Sequence, residues 1–260
     1  MSSYQNPPFR CLHLKVTGST NDDALELASK TAPSDGFCIF TDFQTGGRGQ
    51  YGRKWQSEAG KNLLASYIFQ TAFLKIEDVF SLHLMASLSV YHHLSSLGLS
   101  GLKIKWPNDI LVSGRKIAGI LIQNSLRANN LVHTIVGIGL NLNQEEFSED
   151  LDAVSLKMLT GRDYDPRDQA ESIYGHLMRH FEKIKGGAWE EMLPEYNESL
   201  LGLETRVSCE TQEGNFFHAV IKRVDRDGKI WLQHDGKLLN YAFGELRILP
   251  AFPEPPGRPD

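Results

Sequence analysis

The hydrophobic positions along this 260-residue chain change period several times, and each change predicts a change of element. Cys11 to Val16 reads as a short strand. In Ser19-Thr20-Asn21-Asp22-Asp23, Thr20 and Asp23 have the spacing of a capping box, and Ala24, Leu25, Leu27 and Ala28 follow at helical steps, so a helix is expected over about 21–30. Asp35-Gly36 marks a turn into a strand from Phe37 to Phe43, and Asn62 to Phe69 reads as another. The glycine-rich stretch between these strands is expected to be a loop. Phe80, Leu84, Leu88, Tyr91 and Leu94 recur at three- and four-residue steps, the pattern of an amphipathic helix packed on a sheet, and Gly98 and Gly101 end it. Leu102 to Lys105 resembles a strand, and Ile110–Val112 with Arg115–Gln123 predicts a hairpin turning at Ser113-Gly114.

Leu131 to Leu142 is a further strand, interrupted by Gly137 and Gly139; glycine inside a strand marks close approach of a ligand or another chain. Asp165-Pro166 opens a helix with the stripe Ala170, Ile173, Tyr174, Leu177, Met178, Phe181 and Ile184. Gly186-Gly187 closes it before a second helical stretch containing Trp189, Leu193 and Tyr196. Beyond Gly202 the pattern becomes short strands broken by turn signals at Glu213-Gly214-Asn215, Asp227-Gly228 and Asp235-Gly236, as in a small β-barrel. The expected organisation is an α/β (α+β) unit with substantial antiparallel pairing over 1–200, a small barrel over 201–250 and a proline-rich disordered tail over 251–260.

Composition narrows the function classes. Hydrophobic residues at 41% and charged residues at 23% are ordinary globular values, and a net charge of -5 lacks the basic footprint of a nucleic-acid binder. Cys11, Cys38 and Cys209 are odd in number and form no CxxC pair, which favours a reducing, cytoplasmic setting. The polar start, Met1 to Arg10, does not read as a signal peptide, and no apolar run approaches a membrane span.

Two segments carry chemistry. Gly46-Gly47-Arg48-Gly49-Gln50-Tyr51-Gly52-Arg53-Lys54-Trp55 contains GxGxxG, but it runs on to a strand instead of opening a helix, so the dinucleotide reading fails. Its glycines allow cheap conformational change, and Arg48 and Arg53 present guanidinium forks to phosphate or carboxylate. The second segment is Lys105-Trp106-Pro107-Asn108-Asp109, with Arg115-Lys116 beyond it. A bulky aromatic before proline is expected to fix an extended backbone that aims Asn108 and Asp109. Lys116 then adds a cation to an amide and a carboxylate where a nucleotide phosphate and its metal would sit. Together the segments suit a reaction that makes and protects an anionic acyl-phosphate. His83, His92 and His93 share one predicted helix without HExxH spacing and read as packing or surface residues.

These residues resemble the biotin protein ligases, monofunctional type. The glycine-rich loop reads Gly47-Arg48-Gly49-Gln50-Tyr51-Gly52-Arg53-Lys54-Trp55, the KWPND element spans Lys105 to Asp109, and the following strand is Arg115 to Leu121. Gly137 to Asn141 and Ser19-Thr20-Asn21 also fit, so the resemblance covers about residues 10–250. It implies a class II aminoacyl-tRNA synthetase-like catalytic domain with a C-terminal SH3-like barrel. The implied activity is conversion of biotin and MgATP to biotinyl-5′-adenylate, followed by transfer to a lysine of a biotin carboxyl carrier protein. Carried over, Ser19, Thr20, Asn21, Gln44, Gly47, Arg48, Lys116 and Gly119 contact biotin. Arg53, Trp55, Asn108, Lys116 and Asn141 serve ATP; Lys116, Arg48 and Asp109 are the catalytic set; Asp109 holds Mg²⁺ or the incoming lysine. Homodimerism occurs in the family, but no interface is legible. About ten residues before the first strand are too few for the DNA-binding domain that some members carry. Many members have a second arginine where this chain has Gln50. The rival readings are a lipoate or octanoate ligase on the same fold, a non-catalytic biotin-responsive regulator, and a barrel-based interaction module.

Overall fold

The computed structural model describes residues 7–148 and 151–249, so the expected tail over 251–260 lies outside the described residues. The first sheet contains β1 (Cys11–Thr17), β2 (Phe37–Gln44), β3 (Asn62–Gln70), β4 (Leu102–Lys105), β5 (Asp109–Val112), β6 (Arg115–Arg127) and β7 (Asn130–Asn141), in the spatial order β1-β2-β3-β7-β6-β5-β4. Only the β1–β2 pair is parallel; the other neighbours are antiparallel. This is the mixed, mainly antiparallel sheet that the strand pattern implied.

The sheet is covered on both faces. α1 (Thr20–Lys30) lies on one face, packing Ala24 and Ala28 against Ile39, Ile68 and Ile135. On the other face α2 (Phe80–Ser96) and α4 (Pro166–Lys185) form the main core with β3 to β6. α4 starts where Asp165 caps it, accepting from the backbone N–H groups of Arg167 and Asp168 at 2.8 and 3.2 Å, with Pro166 at its first turn. α2 departs from the expected amphipathic helix. Ser81, Ser87, Ser89 and His93 are buried along with the apolar stripe, because α4 and the second sheet cover the faces that the first sheet leaves open. A short helix, α3 (Leu156–Thr160), had no periodic signal in the sequence, and α5 (Leu193–Glu198) follows the predicted second helical stretch.

β8 (Arg206–Thr211), β9 (Phe216–Val224), β10 (Ile230–His234), β11 (Lys237–Tyr241) and β12 (Leu246–Ile248) form an antiparallel sheet in the order β11-β10-β9-β8-β12. It is seated on the first unit by specific contacts. Trp106 Nε1 donates to the Gly228 carbonyl at 3.0 Å, and the Phe243 ring packs edge-on against Trp106 and Phe80. The Asn197 side chain both donates to the Val224 carbonyl at 3.0 Å and accepts from its N–H at 2.6 Å. Gly228 has φ +83°, and a Cβ there would sit 2.6 Å from Phe80, so the turn needs glycine twice over.

Two local expectations are corrected. The capping box at Thr20 and Asp23 does not form: Ser19 is the N-cap without a side-chain bond, and Asp23 accepts instead from Thr17 Oγ1 at 2.6 Å. The Trp106–Pro107 bond is cis, and 105–108 make a tight turn closed by Asn108 N–H to Lys105 O at 3.1 Å instead of extended backbone. Among the described residues, no helix is long and apolar enough to cross a membrane.

Candidate functional site

A cavity of about 640 Å³, within the usual range for small-molecule sites, opens on the α1 face of the first sheet beside the second sheet. Its floor is made low by glycine. Gly119 on β6 is in register with Gly139 on β7, and Gly137 faces Leu121 and Ser66 on the flanking strands. A Cβ at Gly119 or Gly139 would lie 2.8 or 2.5 Å from the Trp55 indole, and one at Gly137 would lie 2.3 Å from Asn21 Oδ1. The glycines in β7 thus mark close approach, as the sequence pattern suggested, with a ring and an amide as the approaching groups.

The glycine-rich segment folds as a narrow hairpin. Trp55 N–H donates to Gly47 O at 3.0 Å, Gly49 N–H donates to Arg53 O at 2.6 Å, and Arg48 bridges to Lys54. This pairing lays Trp55 on the floor. Arg48 and Arg53 line the cavity, with the Arg48 guanidinium paired to Asp22 at the start of α1.

The cationic end is built by the turn and the hairpin that follow β4. A bulge between Ile110 and Leu111 sets Leu111 opposite Lys116, and Lys116 Nζ reaches Asp109 Oδ1 at 2.7 Å while standing 5.4 Å from the Trp55 ring centre. The backbone of Lys116 is held on both sides, donating to Asp152 O at 2.8 Å and accepting from Val154 N–H at 2.9 Å. Asn108 is anchored to β6 by Nδ2 to Ile120 O at 3.1 Å. Burial pushes the Lys105 ammonium below its ordinary pKa, with the Asp109 carboxylate opposing that shift.

The opposite end is neutral and polar. Ser19, Thr20 and Asn21 are buried at the N-terminus of α1, and Gln44 accepts from Thr20 N–H at 2.8 Å. The structure therefore gathers Ser19, Thr20, Asn21, Gln44, Arg48, Arg53, Trp55, Asn108, Asp109, Lys116 and Gly119 around one cavity. Two expected residues stand apart from its wall. Gly47 backs the loop hairpin, where a Cβ would meet the Trp55 carbonyl at 3.0 Å. Asn141 is buried, and its amide donates to Val154 O at 3.1 Å and Lys116 O at 3.4 Å, so it ties down the strand carrying Lys116.

Sequence reasoning missed other lining residues. Lys105 opens the Lys105–Asp109 segment, whose pattern alone marks no role for it. Glu210, Gln212 and Arg247 come from the second sheet, where Arg247 pairs with Glu210 at 3.7 Å across β12 and β8. No local pattern marks them, because their place depends on how that sheet is seated. With Lys105, Lys116, Arg53 and Arg247 facing Asp109 and Glu210, this end carries a surplus of positive charge suited to phosphates. Among the described residues, no cluster of three or more His, Cys, Asp or Glu side chains is arranged to hold a metal by itself. Asp109 and Glu210 are the carboxylates at this end, and an ion such as Mg²⁺ is commonly held by one or two carboxylates together with substrate phosphates.

Residues 13–141 match the Biotin/lipoate A/B protein ligase family. The bifunctional ligase/repressor BirA of Bacillus subtilis is 31% identical over 230 residues, 84% of this chain and 67% of that protein. The biotin--[acetyl-CoA-carboxylase] ligase of Mycobacterium tuberculosis is 28% identical over 235 residues, 88% of this chain and 85% of that protein. Among solved structures, the biotin protein ligase from Aquifex aeolicus in complex with biotin and ATP superposes with a TM-score of 0.77 at 25% identity, covering 93% of this chain and 99% of that one.

Proposed function

The chain belongs to the biotin/lipoate A/B protein ligase family, and from that premise we propose that it activates biotin with ATP and attaches it to a lysine of a biotin carboxyl carrier protein. It is a biotin protein ligase, an enzyme that uses ATP and biotin. The observation that carries this reading is the polarity of the cavity over the glycine floor. Neutral hydrogen-bonding groups lie at the α1 end, a glycine floor under an indole lies between, and a cationic end is centred on Lys116.

In the first step a biotin carboxylate oxygen bonds to the α-phosphorus of ATP and pyrophosphate leaves, giving biotinyl-5′-adenylate. Lys116 stands where one cation can draw the two anions together and stabilise charge growing on the phosphoryl oxygens. Asp109 aims the Lys116 ammonium, and Asn108 and Asn141 keep the strands on either side in place. Arg53, Lys105 and Arg247 neutralise the polyphosphate, and Arg48 is available to the adenylate once it leaves Asp22. Mg²⁺ would be held at Asp109 and would supply further charge neutralisation there. In the second step the carrier's lysine amine bonds to the acyl carbon, AMP leaves, and Asp109 is the candidate to take up the proton released. The loop 46–55 orders over the adenylate and excludes water. Residues up to about 200 form the catalytic unit, and the barrel beyond completes the phosphate end. The three thiols are free, which suits a reducing cytoplasm.

The test is pyrophosphate release with MgATP and biotin, run beside lipoate and octanoate, followed by the mass of added carrier domain. Release with biotin and a single biotinyl gain on the carrier supports the reading. Release only with lipoate or octanoate transfers the protein to the sister activity, and biotin binding without pyrophosphate from any acid makes it a regulator.

A further inference from the structure

The residues that leave the glycine-rich hairpin, 56–61, run back to β3 past the end of β7, and that strand end holds them. Three successive positions make the hold. Leu142 N–H donates to Asn62 Oδ1 at 3.2 Å, and Asn143 N–H donates to Lys61 O at 2.7 Å. Gln144 Oε1 then accepts twice, from Glu58 N–H at 3.1 Å and from Asn62 Nδ2 at 2.6 Å. The Gln144 amide is itself fixed, its Nε2 donating to Glu146 O at 2.8 Å. Asn62 and Gln144 are both buried, so Asn62 Nδ2 would find no bulk water in place of that oxygen. The other tie on this leg, Ser148 Oγ to Gln56 Oε1 at 2.7 Å, is exposed.

The same strand end also holds the cation. Asn141, immediately before the trio and in register with Asn62, donates to Val154 O and Lys116 O, and Val154 N–H donates to Lys116 O at 2.9 Å. The exit leg of the loop that carries Trp55 and the backbone that carries Lys116 therefore hang from four consecutive residues, 141–144.

We propose that Gln144 is a positioning residue. It stands outside the cavity wall and acts through Glu58 and Asn62, fastening the exit leg of the glycine-rich loop to the end of β7, so that the loop and Lys116 share one anchor. Its part in retaining the adenylate rests on the biotin reading above; the shared anchor does not.

The test compares wild type with Gln144→Ala and Gln56→Ala. Adenylate is formed from biotin and MgATP, and the half-life of the complex is followed after gel filtration. Gln144→Ala should shorten it about tenfold, the worth of one buried hydrogen bond, and Gln56→Ala should stay within about twofold, as for a surface change. A half-life does not depend on the active fraction. A Gln144→Ala protein that merely folds less well yields less complex with an unchanged half-life, and that result overturns the proposal. Amide hydrogen exchange on the unliganded proteins supplies a readout free of the chemistry. Gln144→Ala should speed exchange at Glu58, Lys116 and Val154 while α4 keeps its protection; acceleration at Glu58 alone refutes the shared anchor. Wild type, which needs no variant to fold, should show one opening free energy for these three amides as denaturant is raised, and independent openings refute it equally. If wild type releases no pyrophosphate with biotin, the functional reading fails, and exchange still decides whether the anchor exists.

Discussion

Lowering the pH from about 7.5 to about 5 should remove a large part of this protein's stability through histidines buried around α2. His83 lies under Phe80 and Phe243, and burial lowers its pKa to about 4. His93, bonded to Ser172 and near Gln169 and His176, is lowered to about 4, and His180, bonded to Ser89 and facing His92, His176, Arg179 and Lys183, to about 3, burial being the largest cause in each. All three are depressed below the ordinary histidine value of 6.5, so the unfolded chain takes up protons that the folded one refuses. Their contribution is fully present above about pH 6.5 and is lost as pH falls toward 4. At pH 5, a shift from 6.5 to about 4 amounts to about 1.5 pKa units of unequal protonation, or about 2 kcal/mol per histidine and about 6 kcal/mol for three. Asp35, whose pKa burial raises, offsets part of this over the same descent. Thermal melting at several pH values reads the effect: a loss of about 6 kcal/mol corresponds to about 12–24 °C for a chain of this size. His93→Gln and His180→Gln should each flatten the slope by about a third of that sum. A melting temperature that holds steady down to pH 5 would refute the reasoning, since the buried rings would then be accepting protons at no cost.

Three further outcomes are expected. Lys116→Ala should cut single-turnover adenylate formation by about 10²–10³ while biotin affinity by calorimetry falls only modestly; near-normal turnover would remove Lys116 from the mechanism. Gly139→Ala places a methyl 2.5 Å from the Trp55 ring and should lift the indole off the floor, seen as altered tryptophan fluorescence and a higher KM for ATP at unchanged melting temperature. Gln50→Arg should lengthen adenylate retention, measured as the half-life of the complex after gel filtration, because a guanidinium adds a charge-assisted bond that the amide lacks; an unchanged half-life shows that this position does not tune retention.

Much of the fold was legible because its elements obey local rules. Asp165-Pro166 opens a helix for capping reasons, and Ser113-Gly114, at φ 49° and 87°, closes a hairpin for conformational ones. What was illegible depends on partners distant in sequence. Thr20 and Asp23 have the spacing of a capping box, yet Thr20 bonds to Gln44 and Ser66, so tertiary contacts at the cavity override the local motif. Trp106-Pro107 marks a restricted backbone, but the indole's bond to the Gly228 carbonyl depends on the second sheet, which no local pattern places there. Asn141 sits in a glycine-flanked strand that reads as ligand-facing, and it turns instead to the strand beside it. Arg247 and Glu210 reach the cavity through strand pairing that no window of sequence contains.

The seat of Trp106 on Gly228 bears on how such a chain can be recombined. A barrel borrowed from a relative brings its own turn, and that turn has to leave room for Phe80 and present a carbonyl to the indole. The unit of exchange is therefore not the stretch beyond residue 200 alone. It includes Phe80, Trp106 and Phe243 as a matched set, and a chimera that divides them inherits a cationic end assembled from two halves that do not meet.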